Sequence, residues 1–134
     1  MTPASIPQSA LAPTVNPETK PFWDATLEGK LLVGNCADCG KAHFHPRPFC
    51  PLCFSASVTW DAASGKGTIY SVSVLRRGVK EPYALAYVTL DEGCMMATNI
   101  VDCDLDAIGI DDKVEVVFVP TDGEAAIPFF RPAR

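Results

Sequence analysis

Long apolar segments are missing from this sequence. No hydrophobic run approaches the roughly 20 residues that a helix needs to cross a bilayer, although 48% of the 134 residues are hydrophobic. The N-terminus has neither the basic start nor the apolar centre of a signal peptide. We therefore expect a protein without a membrane-spanning segment and with a cytoplasmic, reducing location.

Catalytic side chains are also scarce. The chain has two histidines, His43 and His45, and no Gly-x-Ser-x-Gly motif. No nucleophile can therefore be paired with a general base from the sequence. We expect no catalytic residues in this chain, and an independent hydrolase acting on an acyl thioester is the least favoured function.

An excess of positive charge is absent too. The formal net charge is -5 at pH 7. Proteins that bind phosphate backbones present net positive surfaces. The composition therefore argues against a nucleic acid as the main partner.

The sequence does contain two closely spaced cysteine pairs. Each C-x-x-C pair can place two thiolates on a tight turn, and two facing turns give the sulfur tetrahedron that Zn²⁺ accepts. Gly40 after the first pair and Pro51 inside the second favour turns. Four thiolates leave no open coordination position, so the pattern predicts a rubredoxin-like zinc ribbon with one structural Zn²⁺ per chain. The predicted ligands are Cys36, Cys39, Cys50 and Cys53.

Other interpretations of the cysteines remain open. Disulfides would need an oxidising compartment, iron also accepts four thiolates, and a redox dithiol would need only one pair. The histidines between the pairs are interpreted as surface or packing residues, because four cysteines already complete the site. Cys94 and Cys103 lie in apolar, strand-like surroundings and are predicted to be buried thiols.

The rest of the chain divides around this motif. Residues 1–18 are rich in Pro, Ser, Thr and Ala, which predicts a flexible arm. Residues 19–30 are expected to form a helix with Pro21 in its first turn. Phe22, Trp23 and Leu27 make an apolar stripe on that helix. Such a stripe usually packs in the core, and contact of Phe22 and Trp23 with a partner protein is the alternative.

The zinc ribbon is assigned to residues 31–62, and the remaining residues 63–134 read as strands with short breaks. Alternating segments at 67–75, 84–90, 94–100 and 114–119 predict mostly antiparallel strands. About five short strands that begin with one long, bent strand suit a small closed barrel, for which the OB-fold is the best fit. A small β-sandwich is the alternative.

Several of these motifs occur together in one family. The Phe-Trp pair at 22–23, the Pro-Arg-Pro bend at 46–48, the Gly-x-Gly-Thr strand at 65–71 and the Phe-Arg-Pro end at 130–132 follow one another in the family's order. With the double C-x-x-C, they make the chain from about Pro21 onward resemble the zinc-ribbon/OB-fold accessory proteins that accompany thiolase-like enzymes in bacteria and archaea.

The resemblance implies a non-catalytic subunit of a hetero-oligomer. Such proteins bind a thiolase, an acyltransferase or a thiolase-like aldolase, and support the binding or transfer of a CoA ester or acyl group. Basic side chains in the first half of the chain are candidates for binding CoA phosphates. They are Arg47, Lys66, Arg76, Arg77 and Lys80. The alternative function is binding of single-stranded nucleic acid, which OB-folds and zinc ribbons also perform.

Overall fold

The computed structural model of the chain describes residues 2–133, which are mainly β as predicted. One α-helix of eight residues is present in this part of the chain, and it is too short to cross a membrane. The elements are β1 (Pro3–Ala4), α1 (Lys20–Leu27), β2 (Leu32–Cys36), β3 (Ala42–His43), β4 (Val58–Ala62), β5 (Lys66–Leu75), β6 (Tyr83–Leu90), β7 (Met95–Ile100), β8 (Cys103–Asp104), β9 (Lys113–Pro120) and β10 (Ala126–Pro132).

Five strands form a closed barrel in the order β10-β7-β6-β5-β9. Apolar side chains alternate along the strands, so every second side chain enters the barrel. Ile69, Val88 and Phe130 are each completely buried there. The predicted OB-fold barrel is confirmed, and the alternative of a β-sandwich is wrong, because the sheet closes on itself.

The long strand β5 makes this closure possible. Its register with β6 shifts between Ile69 and Ser71, a bulge that bends the strand. Its first residues pair with β9 while its remainder pairs with β6 alone. At Gly67 a Cβ atom would lie 2.6 Å from the backbone oxygen of Thr89, so only glycine permits this approach.

The ribbon is a separate three-stranded sheet in the order β3-β2-β4. Gly34 on β2 faces His43 on β3, and a Cβ atom at Gly34 would lie 2.2 Å from the imidazole Nε2. The absence of a side chain at Gly34 therefore makes the space in which the buried His43 ring packs.

The helix α1 precedes the ribbon in the chain and packs against both the ribbon and the barrel. Thr19 is its N-cap, Pro21 lies in the first turn as predicted, and the chain turns at Gly29 with a φ of 75°. Phe22 is 1% exposed and belongs to the hydrophobic core. Phe22 therefore packs in the core and has no surface left for the alternative of partner contact. Trp23 is half-buried against the Phe22 ring, and its role in partner contact stays a prediction.

The N-terminal segment, predicted as a flexible arm, lies along the barrel in the structure. β1 pairs with β8, and the amide of Leu105 donates to the Thr2 carbonyl at 2.7 Å. Further along, the amide of Ala10 donates to the Pro120 carbonyl at 2.9 Å. We call residues 2–11 the strap, since it is held at both ends.

Candidate metal centre

Two tight turns carry the four predicted ligands. Cys36 ends β2, and its carbonyl accepts the amide of Gly40 at 2.9 Å, which closes the first turn. The Cys50 carbonyl accepts the amide of Phe54 at 2.8 Å and closes the second. A backbone amide also points at sulfur: the amide of Cys39 lies 3.5 Å from the Cys36 Sγ. Such N–H groups stabilise thiolate ligands.

The four sulfurs come together as the spacing predicts. All of them lie within 4.8 Å of one another. The Cys36 and Cys53 sulfurs are 3.6 Å apart, and the Cys39 and Cys50 sulfurs are 3.7 Å apart. A tetrahedron with metal–sulfur bonds of about 2.3 Å has edges of roughly 3.8 Å. The donor set and its dimensions therefore fit a single four-coordinate metal ion.

Electrostatics within the cluster also favour a cation. The backbone amide of Cys39 lowers the pKa of the Cys36 thiol to about 7. The pKa of Cys53 is lowered by the amide of Ser55 but raised more by the neighbouring sulfurs and by burial, which leaves it at about 12. Four thiolates this close repel one another, and a divalent ion removes that repulsion.

The other candidate ligands lie outside the cluster. Among residues 2–133, the four cysteines are the only group of Cys, His, Asp or Glu side chains close enough to share a metal ion. His43 is 4% exposed, and its Nε2 accepts the amide of Arg47 at 3.3 Å. His45 packs against Phe22, with ring centroids 4.3 Å apart. Burial lowers the pKa of both histidines. His43 packs within the ribbon, against Gly34, and His45 packs between the ribbon and the helix.

The five basic residues expected at CoA phosphates do not form one site. Lys66 and Arg76 lie at opposite ends of β5, roughly 30 Å apart at about 3.3 Å per residue. Arg76 already pairs with Asp106 at 2.6 Å. Arg47 lies on the ribbon, where its carbonyl accepts the Trp60 indole. Only Arg76, Arg77 and Lys80 share a loop, between β5 and β6.

Sequence reasoning missed an exposed apolar group beside the second turn. Phe49, Leu52 and Phe54 are 59%, 57% and 83% exposed. We call these three side chains the ribbon tip. Phe54 also has a φ of 65°, a conformation that is rare and costly for an aromatic residue. The cysteine spacing could have predicted this exposure. When the two cysteines of a turn point toward the metal, the residues between and beside them point toward solvent.

A four-thiolate ribbon joined by a helix to an OB-type barrel defines the class of zinc-ribbon/OB-fold proteins. Residues 23–59 match the ChsH2 rubredoxin-like zinc ribbon domain, and residues 60–119 match the ChsH2 C-terminal OB-fold domain. The chain is 38% identical over 119 residues to a DUF35 domain-containing scaffold protein of Methanothermobacter thermautotrophicus. This match covers 82% of the chain and 90% of that protein. The chain belongs to the DUF35 family of zinc-ribbon/OB-fold proteins.

Other relatives are longer proteins or parts of assemblies. A probable enoyl-CoA hydratase alpha subunit of Thermomonospora curvata is 33% identical over 127 residues, which is 90% of this chain but 39% of that protein. The chain thus spans well under half of this relative. Among solved structures, a chain of the Ltp2-ChsH2(DUF35) aldolase superposes with a TM-score of 0.77 at 31% identity. This superposition covers 92% of the present chain and 100% of that one.

Proposed function

We propose that this chain is a non-catalytic accessory subunit that binds a thiolase-type enzyme in the cytoplasm and supports the binding or transfer of a CoA ester or acyl group. The observation that carries the proposal is the similarity along almost the whole chain to a component of the Ltp2-ChsH2(DUF35) aldolase. Relatives named as a scaffold protein and as a hydratase alpha subunit agree with a role within an assembly.

The ribbon tip supports this proposal on physical grounds. Three large apolar side chains lie in solvent within six residues, although burying each would contribute about 1.5–3 kcal/mol. Phe54 is also held at a φ of 65°, in the turn that its amide closes with the Cys50 carbonyl at 2.8 Å, so its ring is fixed in this exposed position. Exposed aromatic residues on a rigid support are typical anchors of protein–protein interfaces. The ribbon tip is therefore our candidate surface for the partner enzyme.

The metal in this account is Zn²⁺, one per chain, with a structural role. A sheet of twelve strand residues cannot bury a core of its own, so the ion supplies the stability that the ribbon lacks. Metal analysis of the purified protein should find about one zinc per chain. Iron in its place, or no metal in a folded ribbon, would contradict this assignment.

The role in CoA-ester binding rests on the loop between β5 and β6. Arg77 and Lys80 form no ion pair with the other residues of the range 2–133, and guanidinium and ammonium groups are common ligands of phosphate. Replacing both with Gln should weaken binding of a CoA ester by the assembled complex while the complex itself still forms. Unchanged CoA-ester affinity would remove this loop from the proposal.

Co-purification tests the main proposal. The tagged chain should recover a thiolase-type enzyme from its native host, and the Phe54→Asp variant should lose it because a carboxylate would be buried at the contact. Ile110→Asp is the matched control, since Ile110 is also exposed, at 64%, but lies in the loop before β9. A chain that stays monomeric with every thiolase-type enzyme of that host would refute the proposal.

A further inference from the structure

The strap encloses a cleft against the outside of the barrel. Between its two attachments, at β8 and at Pro120, the strap arches away from the strands and leaves a space of about 860 Å³. This volume lies within the range of about 300–1,000 Å³ that small-molecule sites occupy. The floor of the cleft comes from the ends of β7 and β10, and its cover comes from the strap.

Apolar side chains line both faces of the cleft. Ile127 and Phe129 point outward from β10, because their neighbours on that strand are the ones buried in the barrel. Pro3 and Pro7 face them from the strap. Without the strap, β10 would present two large apolar residues to water, and with it these residues line a sheltered surface.

The polar groups of the lining restrict what the cleft can accept. They are the Ser5, Ser9 and Tyr83 hydroxyls, the Asn99 amide and the Glu81 carboxyl. Among residues 2–133, no lysine or arginine lines the cleft. A ligand carboxylate or phosphate would lose its hydration there without meeting a cation, which is costly. A neutral hydrocarbon with at most one hydroxyl group would lose little hydration free energy. The hydroxyls, the amide and the carboxyl of the lining can each accept a hydrogen bond from the hydroxyl group of such a ligand.

The strap is also held in place before any ligand binds. The Thr2 hydroxyl donates to Asp106 Oδ2 at 2.8 Å and accepts from the Arg76 guanidinium at 3.2 Å, so the start of the strap is fixed to two loops. Pro3 and Pro7 limit the backbone freedom of the segment between the attachments. A cover that is already ordered reduces the entropy cost of binding.

We propose that this cleft binds a neutral hydrocarbon chain or ring system, with the strap as its cover. The residues that line the cleft all come from this chain, and none of them belongs to the ribbon or to the ribbon tip. The zinc ribbon and OB-fold domain matches begin at residue 23, so the strap is outside both of them.

Titration of the full chain with the neutral fluorophore N-phenyl-1-naphthylamine tests this proposal. We expect saturable binding, displacement by decan-1-ol, and much weaker displacement by decanoate, which has the same chain length and a negative charge. Absence of saturable binding would overturn the proposal. Equal displacement by the alcohol and the carboxylate would overturn the charge argument, and with it the assigned ligand class.

Two variants locate the binding. Ile127→Trp fills the cleft from the barrel side and should weaken fluorophore binding at least tenfold. Met95→Trp is the matched control, because Met95 lies on the outside of β7 at the end away from the cleft, and it should leave the affinity unchanged. Ser9→Trp fills the cleft from the exposed strap. It should also weaken fluorophore binding, and it replaces Ile127→Trp as the test if that variant does not fold. Full affinity in a folded filled variant would refute the site.

Discussion

Thr26 links the helix α1 to the last strand, β10, by a hydrogen bond. Its hydroxyl can be removed with little change in the shape of the side chain. The side chain is 2% exposed on α1. Its Oγ1 donates to the Trp23 carbonyl at 2.5 Å and accepts the amide of Ala126, on β10, at 3.0 Å. Thr26→Val keeps the volume of the side chain but leaves the buried Ala126 amide without an acceptor.

The expected cost follows from that amide. An unsatisfied buried donor costs about 1–3 kcal/mol. For a chain of this size, at about 4 °C per kcal/mol, the melting temperature should fall by roughly 4–12 °C. Thermal unfolding followed by circular dichroism measures this directly. Thr26→Ser is the control, because it keeps the hydroxyl and loses only a methyl group, for a cost of about 1 kcal/mol.

The comparison between the two variants can refute the reasoning. If Thr26→Val were as stable as the parent chain, the helix and the last strand would not depend on this hydrogen bond. If Thr26→Ser, which keeps the hydroxyl, lost more stability than Thr26→Val, which keeps the methyl group, packing of the methyl group would matter more than the hydrogen bond. In the first case the Ala126 amide would have to find another acceptor, which hydrogen exchange at that amide would reveal.

Three further results are expected. Cys39→Ser should lose the bound metal and unfold the ribbon while the barrel keeps its strand signal in circular dichroism, and an unchanged zinc content would contradict the ligand assignment. Gly34→Ala should lower the melting temperature, because its Cβ would lie 2.2 Å from the His43 ring, whereas Gly109→Ala meets nothing within 4 Å and should be neutral. Single-stranded oligonucleotides at low salt should not change fluorescence anisotropy on mixing with the protein, and saturable binding would instead favour the nucleic-acid alternative.

The parts of the fold that the sequence predicted depend on local patterns. The spacing of the cysteines places four sulfurs at one point whatever the rest of the chain does, and the alternation in β6 marks its buried face directly. Pro21 and Gly29 similarly mark the start and end of α1. In each case the residues that carry the signal are the residues that form the structure.

The missed elements depend on partners far along the chain. β10 contains Pro128 and Pro132, which argue against a strand, yet it pairs with β9 along its whole length. A proline is tolerated in a strand with a free side, and β10 meets β7 only at the pair Phe130 and Ile100. β1 is two residues long and exists only because β8 lies beside it, so no local pattern could predict it.

Because β10 is the last strand of the chain, the ribbon and the barrel can be completed only in that order during synthesis. The ribbon is complete once residue 62 has been made, whereas the barrel needs its final strand, which also supplies the amide that Thr26 accepts. During synthesis at about 5–20 residues per second, the thiols are therefore available to metal seconds before the sheet can close. Truncation near the C-terminus should accordingly yield a metal-loaded ribbon on an open, aggregation-prone sheet.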